Sequence, residues 1–270
     1  WHYPDFFNLV KDVVADQLGP DAETNKRLIR AAMRQALAAQ APTTELQSQR
    51  QVLMTLSHDA DLVLDLHCDF EAVEHLYTTP EAWPQIEPLA RYLGAQASWL
   101  ATDSGGQSFD ECFSLVWWQL QQRFGKRFPI PLGCCSVTVE LRGQADVSHD
   151  LASKDCQAIL DFLTHAGVIE GTSAALPALL RHATPLAAVE PVATPLGGLL
   201  VYHAKPGQHL EAGQLIAEVI DPLSDRVTPL RNRQPGLLYA RSVRRMATAG
   251  MVIAHVAGEQ VCRSGYLLAN

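Results

Sequence analysis

Over its first 57 residues the chain repeats apolar positions at helical spacing; beyond them come short apolar runs of strand length. Residues 7–18 and 21–40 are expected to be helices, the second with an apolar stripe at Leu28, Ala31, Ala32, Ala36 and Leu37. Thr44 and Gln47 have the spacing of a capping box for a third helix reaching Ser57. Strands are expected at 61–66, 96–101 and 134–141, because each is a short apolar run bounded by turn residues. Between them, 81–93 has a helical pattern despite Pro84 and Pro88, which predict a break. Ser108 and Glu111 form a second capping-box spacing for a helix through Phe124. A last helix, 151–165, stops at Gly167. Helices alternating with apolar strands predict an α/β fold with a mainly parallel or mixed sheet flanked by helices.

The pattern changes after Leu176. Residues 176–195 carry Pro177, Pro185, Pro191 and Pro195 among small apolar residues and read as a linker. Beyond it Gly198-Leu199-Leu200, Ala212-Gly213 and Ile216-Ala217-Glu218-Val219 recur as Gly236-Leu237-Leu238, Ala249-Gly250 and Ile253-Ala254-His255-Val256, with Tyr202 and Tyr239 near matching points. Glycine-punctuated short strands repeated twice predict two sheets folded face to face, a small all-β barrel or sandwich. The expected division is therefore 1–185 and 186–270. The second module resembles the biotinyl/lipoyl hammerhead barrel, whose carrier members present a lysine on the central hairpin. Here that hairpin, 220–226, has none, so a covering or shaping role is expected instead of a swinging arm.

Composition narrows the function classes. An apolar share of 47% and a charged share of 19% describe a folded chain. The net charge of -8 argues against nucleic acid, and the basic cluster Arg241, Arg244, Arg245 is too short to reverse that. No apolar run approaches the roughly 20 residues of a membrane span. Six cysteines without a C-x-x-C pair fit reduced core thiols and a cytoplasmic setting. The opening Trp1-His2-Tyr3-Pro4-Asp5-Phe6 reads like the interior of a larger fold, which creates the expectation of a preceding N-terminal portion.

Chemistry concentrates at two strand ends. Asp61-Leu62-Val63-Leu64-Asp65-Leu66-His67 reads as a buried or edge strand ending on acids and an imidazole, and Asp65 shares a face with His67. Side chains past the carboxyl ends of parallel strands line the ligand crevice. An imidazole fixed there by a carboxylate has the form of a metal ligand, although a satisfied core histidine has the same sequence. Glu140, within Val137-Thr138-Val139-Glu140-Leu141, is either a general base and acid or half of an edge-strand salt bridge with Arg142 on the same face. Ser104-Gly105-Gly106-Gln107 lacks the G-K-[ST] of a phosphate loop and reads as a turn. Cys68 and His67, being adjacent, face opposite ways, and Trp117-Trp118 reads as core packing.

With Asp65-Leu66-His67, Val137-Thr138-Val139-Glu140-Leu141 and the appended barrel in that order, the whole chain resembles the succinylglutamate desuccinylase/aspartoacylase family of the zinc carboxypeptidase clan. The resemblance implies a zinc-dependent hydrolase acting on N-acyl amino acids or related small carboxylated amides. It makes His67 a zinc ligand and Glu140 the general base and acid. It leaves Arg142 as a cation for the substrate carboxylate, and places Tyr3-Pro4-Asp5 directly after the family's Asn/Arg-bearing segment. The family's other zinc motif, an H-x-x-E, is expected upstream of Trp1, since His2-x-x-Asp5 lies in the wrong motif. A metal-free binding or scaffold protein that kept the fold is the rival expectation. Oligomeric assembly stays open.

Overall fold

The computed structural model describes residues 3–268; the readings placed on Trp1 and His2 lie outside them. Six α-helices are described: α1 Phe6–Val14, α2 Ala22–Ala38, α3 Glu45–Ser57, α4 Trp83–Leu93, α5 Phe109–Phe124 and α6 His149–His165. The strands of the first part are β1 Leu62–Asp69, β2 Glu71–Ala72, β3 His75–Thr78, β4 Ala97–Leu100, β5 Cys135–Gly143 and β6 Thr184–Pro185. The later strands are β7 Val189–Ala193, β8 Gly198–Tyr202, β9 His209–Leu210, β10 Leu215–Ile220, β11 Val227–Arg231, β12 Gly236–Arg241, β13 Met246–Ala247 and β14 Val252–Ala257.

The chain divides into two compact units that interleave along the sequence. The first comprises Trp1–Asp65, Thr78–Pro84 and Thr102–Val137; the second comprises Leu66–Tyr77, Gln85–Ala101 and Thr138–Asn270. Their limits fall inside β1, β3 and β5.

In the first unit, α1 is capped by Asp5, which accepts from Asn8 N–H at 3.0 Å, and buries Phe6, Val10 and Val14 at i, i+4 and i+8. Asp21 caps α2 in the same way through Thr24 N–H at 2.8 Å. The buried stripe of α2 is Asn25, Ile29, Ala32, Met33 and Leu37, so the helix is turned relative to the expected stripe: Leu28 is only half-buried and Ala31 is exposed. Ile29 and Met33 outweigh the alanines because burial scales with apolar area. Phe113 and Trp117 of α5 join this core, as expected for Trp117. Thr44 caps α3 at 3.2 Å, but Gln47 returns to Thr43 N–H instead of closing a box on Thr44. At α5, Ser108 makes no side-chain cap and Glu111 reaches back to Ser104 N–H, so the expected capping box is absent.

One five-stranded sheet has the order β1-β5-β3-β4-β6. The Asp61 carbonyl accepts from Cys135 N–H at 2.9 Å and the Asp69 carbonyl from Gln144 N–H at 2.8 Å, so β1 and β5 advance together and are parallel. β4 and β6 are also parallel, pairing Trp99 with Thr184. The α/β expectation holds, with β1 at the sheet edge. Leu66, His67 and Cys68 in its second half are exposed. β5 lies inside the sheet, so the edge-strand setting expected for Glu140 and Arg142 is overturned. The helix at 83–93 is continuous, with Pro84 in its first turn, where no intrahelical N–H is needed, and Pro88 inside.

In the second unit, residues 186–270 together with β2 form two antiparallel sheets, β11-β10-β8-β13 and β2-β12-β14-β7, with β9 added on β12. The internal repeat is visible as an exchange. β8 pairs β10 and β12 pairs β14 within each copy, while β9 of the first copy pairs β12 of the second and β13 of the second pairs β8 of the first. Leu200, Ile216, Val219, Leu238, Ile253 and Val256 fill the interior. A Cβ at Gly198 would stand 2.4 Å from the Ile220 carbonyl oxygen, and one at Gly236 would stand 2.2 Å from that of Ala257, so equivalent positions of both copies require glycine. The expected linker is partly structured: 189–193 is β7, the edge strand beside β14, where Pro191 can be accommodated.

Candidate active site

His67 and Glu140 sit near the carboxyl ends of adjacent parallel strands, both within the second unit. Gln144 N–H is shared between the Asp69 and Phe70 carbonyls at 2.8 and 3.1 Å, yet nine residues separate it from Cys135, and unbroken alternation would turn the two N–H groups to opposite sides, so a bulge interrupts β5 between them. Arg142, the strand's one residue with a left-handed φ (67°), marks that bulge. Counted from the Cys135 end, Glu140 comes level with His67, and level residues of parallel strands share a face. His67 is exposed and Glu140 half-buried, with its Oε2 shielded from solvent.

The bulge breaks the alternation that would have kept Arg142 on the face of Glu140. The Arg142 guanidinium instead holds Glu74 Oε2 (Nη1 at 3.0 Å) and both Asp155 oxygens, with Nη1 at 3.1 Å from Oδ1 and Nη2 on Oδ2. These acids are buried: Glu74 is on the segment between β2 and β3, Asp155 on α6. Burial keeps the Glu74 carboxyl above the usual range despite the Arg142 charge, and the Asp155 bonds raise the Arg142 pKa.

Four side chains absent from the sequence-based site gather nearby in the same unit. His75 Nδ1 bonds the Val73 carbonyl at 2.8 Å. A carbonyl only accepts, so Nδ1 carries the proton and Nε2 accepts from Tyr77 O–H at 3.3 Å. Tyr77 is hydrogen-bonded in turn to Tyr239 of β12, and the His255 ring lies 5.7 Å from that of Tyr239. Burial drives the hydroxyl pKa values of Tyr77 and Tyr239 up, and the negative charges of Glu140 and Asp69 add to this. The same burial pushes His75 and His255 down to about 4, so both are neutral at pH 7. Arg263 contributes a cation whose charge reaches Tyr239 and His255. An available sequence signal was His75-Leu76-Tyr77, two polar rings two apart on one strand face.

As a metal centre the set is incomplete. His67 offers one imidazole, but among the described residues no group of three or more His, Cys, Asp or Glu is arranged to hold a metal ion. Of the six cysteines, all unpaired, Cys112, Cys134 and Cys135 are buried as expected, whereas Cys68, Cys156 and Cys262 are exposed. No described helix is long and apolar enough to cross a membrane.

No protein-family model matches the chain, and no curated protein does. Solved structures do. A succinylglutamate desuccinylase/aspartoacylase family protein from Shewanella amazonensis superposes with a TM-score of 0.78 at 23% identity, covering 95% of this chain and 70% of that one. A counterpart from Shewanella frigidimarina gives 0.78 at 21%, covering 96% and 69%. One from Rhodobacter sphaeroides gives 0.60 at 19%, covering 84% and 67%. The chain therefore has the fold of the succinylglutamate desuccinylase/aspartoacylase structures.

Proposed function

We propose that the chain belongs to that family and is a deacylase-type hydrolase, cleaving the amide bond of an N-acyl amino acid or a related small carboxylated amide. The observation that carries the proposal is the level placement of His67 and Glu140 at the carboxyl ends of two parallel strands, in a fold shared with structures of that family.

Glu140 has one solvent-shielded oxygen and belongs to a strand held inside the sheet. Its role would be to take a proton from the water that attacks the amide carbonyl and return it to the departing amine nitrogen. Zinc is part of the proposal through the resemblance alone: His67 would be one of its ligands, and the described residues do not complete a site. When bound, the ion would lower the pKa of its water and polarise the carbonyl. For the substrate carboxylate, Arg142 is poorly suited, since Glu74 and Asp155 already outnumber its charge. Arg263 is the better candidate, because its field reaches Tyr239 and His255.

The test is a panel of N-acetyl and N-succinyl amino acids assayed with the zinc-supplemented protein. Release of free amino acid from at least one member supports the proposal. No turnover across the panel would leave the rival reading, a binding protein that retains the fold.

A further inference from the structure

We infer that the outer face of the β11-β10-β8-β13 sheet is an interface for a second molecule of this chain. Its counterpart in the internal repeat is a buried face. The strand registers align the two half-repeats: Leu199 stands opposite Ile220 and Ile220 opposite Val227, as Leu237 stands opposite Ala257 and Ala257 opposite Val189. In the second half-repeat this face is covered within the same unit. Leu237 and Val189 are buried there and share a core with Val73, Ala97 and Trp99. In the first half-repeat the same positions lie open, with Leu199 44% and Val227 49% exposed. Met246, level with Leu199 on β13, is 63% exposed.

Met246, Leu199, Ile220 and Val227 therefore form one apolar row across all four strands. Val201 extends it along β8, and the exposed Leu223 sits on the hairpin joining Ile220 to Val227. The open apolar area is on the order of 400 Å², the size at which a patch marks an interaction site. Counted on both molecules and widened by a polar rim, it reaches about 1,200 Å², the lower end of specific interfaces. A twofold contact requires a patch complementary to itself, and an apolar row laid on its own copy meets that without burying a charge. A charged partner is a poorer fit. Glu218, level with Val201, is already held by His203 at 2.9 Å. Each chain carries a net charge of -8, so the two molecules repel at long range and added salt should tighten the contact.

Sedimentation velocity on the full chain, from about 1 to about 200 µM, should show a reversible monomer–dimer equilibrium with a dissociation constant on the order of 20 µM. Leu199→Glu and Met246→Glu each place a carboxylate in the row and should raise that constant at least about tenfold. Leu56→Glu, at an exposed position of α3 in the first unit, should leave it unchanged. Should a row variant fail to fold, concentration-dependent amide shifts of the wild-type chain decide, and they are expected on β8, β10, β11 and β13. A monomer up to about 200 µM, a dimer indifferent to both row variants, shifts confined to other strands, or an equal loss with Leu56→Glu would overturn the inference. So would binding to phosphatidylcholine vesicles by a chain that stays monomeric, which would assign the face to lipid.

Discussion

Arg142 and Asp155 meet fork to fork, Nη1 on Oδ1 at 3.1 Å and Nη2 on Oδ2, with Glu74 Oε2 3.0 Å from Nη1 on the other side. The guanidinium is 15% exposed and the Asp155 side chain 10%, which puts this group among buried ion pairs. Removing one partner of such a pair strands the other charge. Arg142→Met, which leaves Glu74 and Asp155 without their shared cation, should lower unfolding stability by about 3 kcal/mol, read as a shift in the urea midpoint. The bulge at Arg142 lies two residues beyond Glu140 on β5, so the same variant should reduce any deacylase activity while leaving far-ultraviolet dichroism unchanged. A loss below about 1 kcal/mol would show that the cluster is screened like a surface pair.

His75 should make stability depend on pH. Its pKa is held down to about 4 in the folded chain by burial, against about 6.5 when unfolded. Between those values the unfolded chain binds the extra proton, so stability falls as pH drops from 6.5 towards 4 and is flat above 6.5 for this group. The shift corresponds to about 3 kcal/mol over the window. Urea midpoints at pH 7 and pH 4.5 should differ in this sense. His75→Gln should be less stable at pH 7 but show a smaller slope, and an unchanged slope would remove His75 as its source.

The repeat predicts a backbone effect at Gly236. A methyl group there would lie 2.2 Å from the Ala257 carbonyl oxygen, a contact the β12–β14 pair cannot relieve without separating. Gly236→Ala should cost about 2–3 kcal/mol, as overpacking does in tight interiors, and Gly198→Ala should behave alike because its clash is with the matching carbonyl of Ile220. Thermal unfolding of both variants checks this; a neutral result at either would break the equivalence of the two copies.

Legibility in the sequence tracks the strength of each local signal. Val63 and the alternation through Val137 and Val139 announce β1 and β5, and the twofold Gly-Leu-Leu pattern announces the sandwich, because all of these apolar side chains except Leu199 are buried in the folded chain. β3 is not legible, since His75 and Thr78 look like loop residues until the Val73 and Ser136 carbonyls that satisfy them are in place. The Glu111 spacing suggests a capping box, yet Ser104 N–H competes for the same carboxylate. Counting two along an ideal strand makes Arg142 a partner of Glu140; a left-handed φ of 67° defeats that count, and no propensity of arginine foretells it. His67 and Glu140 are legible as candidates, but their shared level requires the register of β1 on β5.

The proposed chemistry makes its sharpest demand on Glu140. Glutamine in its place preserves shape and hydrogen-bonding capacity but cannot take a proton from water, so a general base and acid should be worth about 10²–10⁴ in kcat. Glu140→Gln should lose activity in that range with KM and zinc content little changed, because the residue is assigned no ligand role. His67→Ala should behave oppositely, losing bound zinc first and activity as a consequence. If Glu140→Gln retains near wild-type kcat, the proton carrier lies elsewhere. If zinc content is indifferent to His67, the imidazole is no ligand, and its level placement beside Glu140 would need a different explanation.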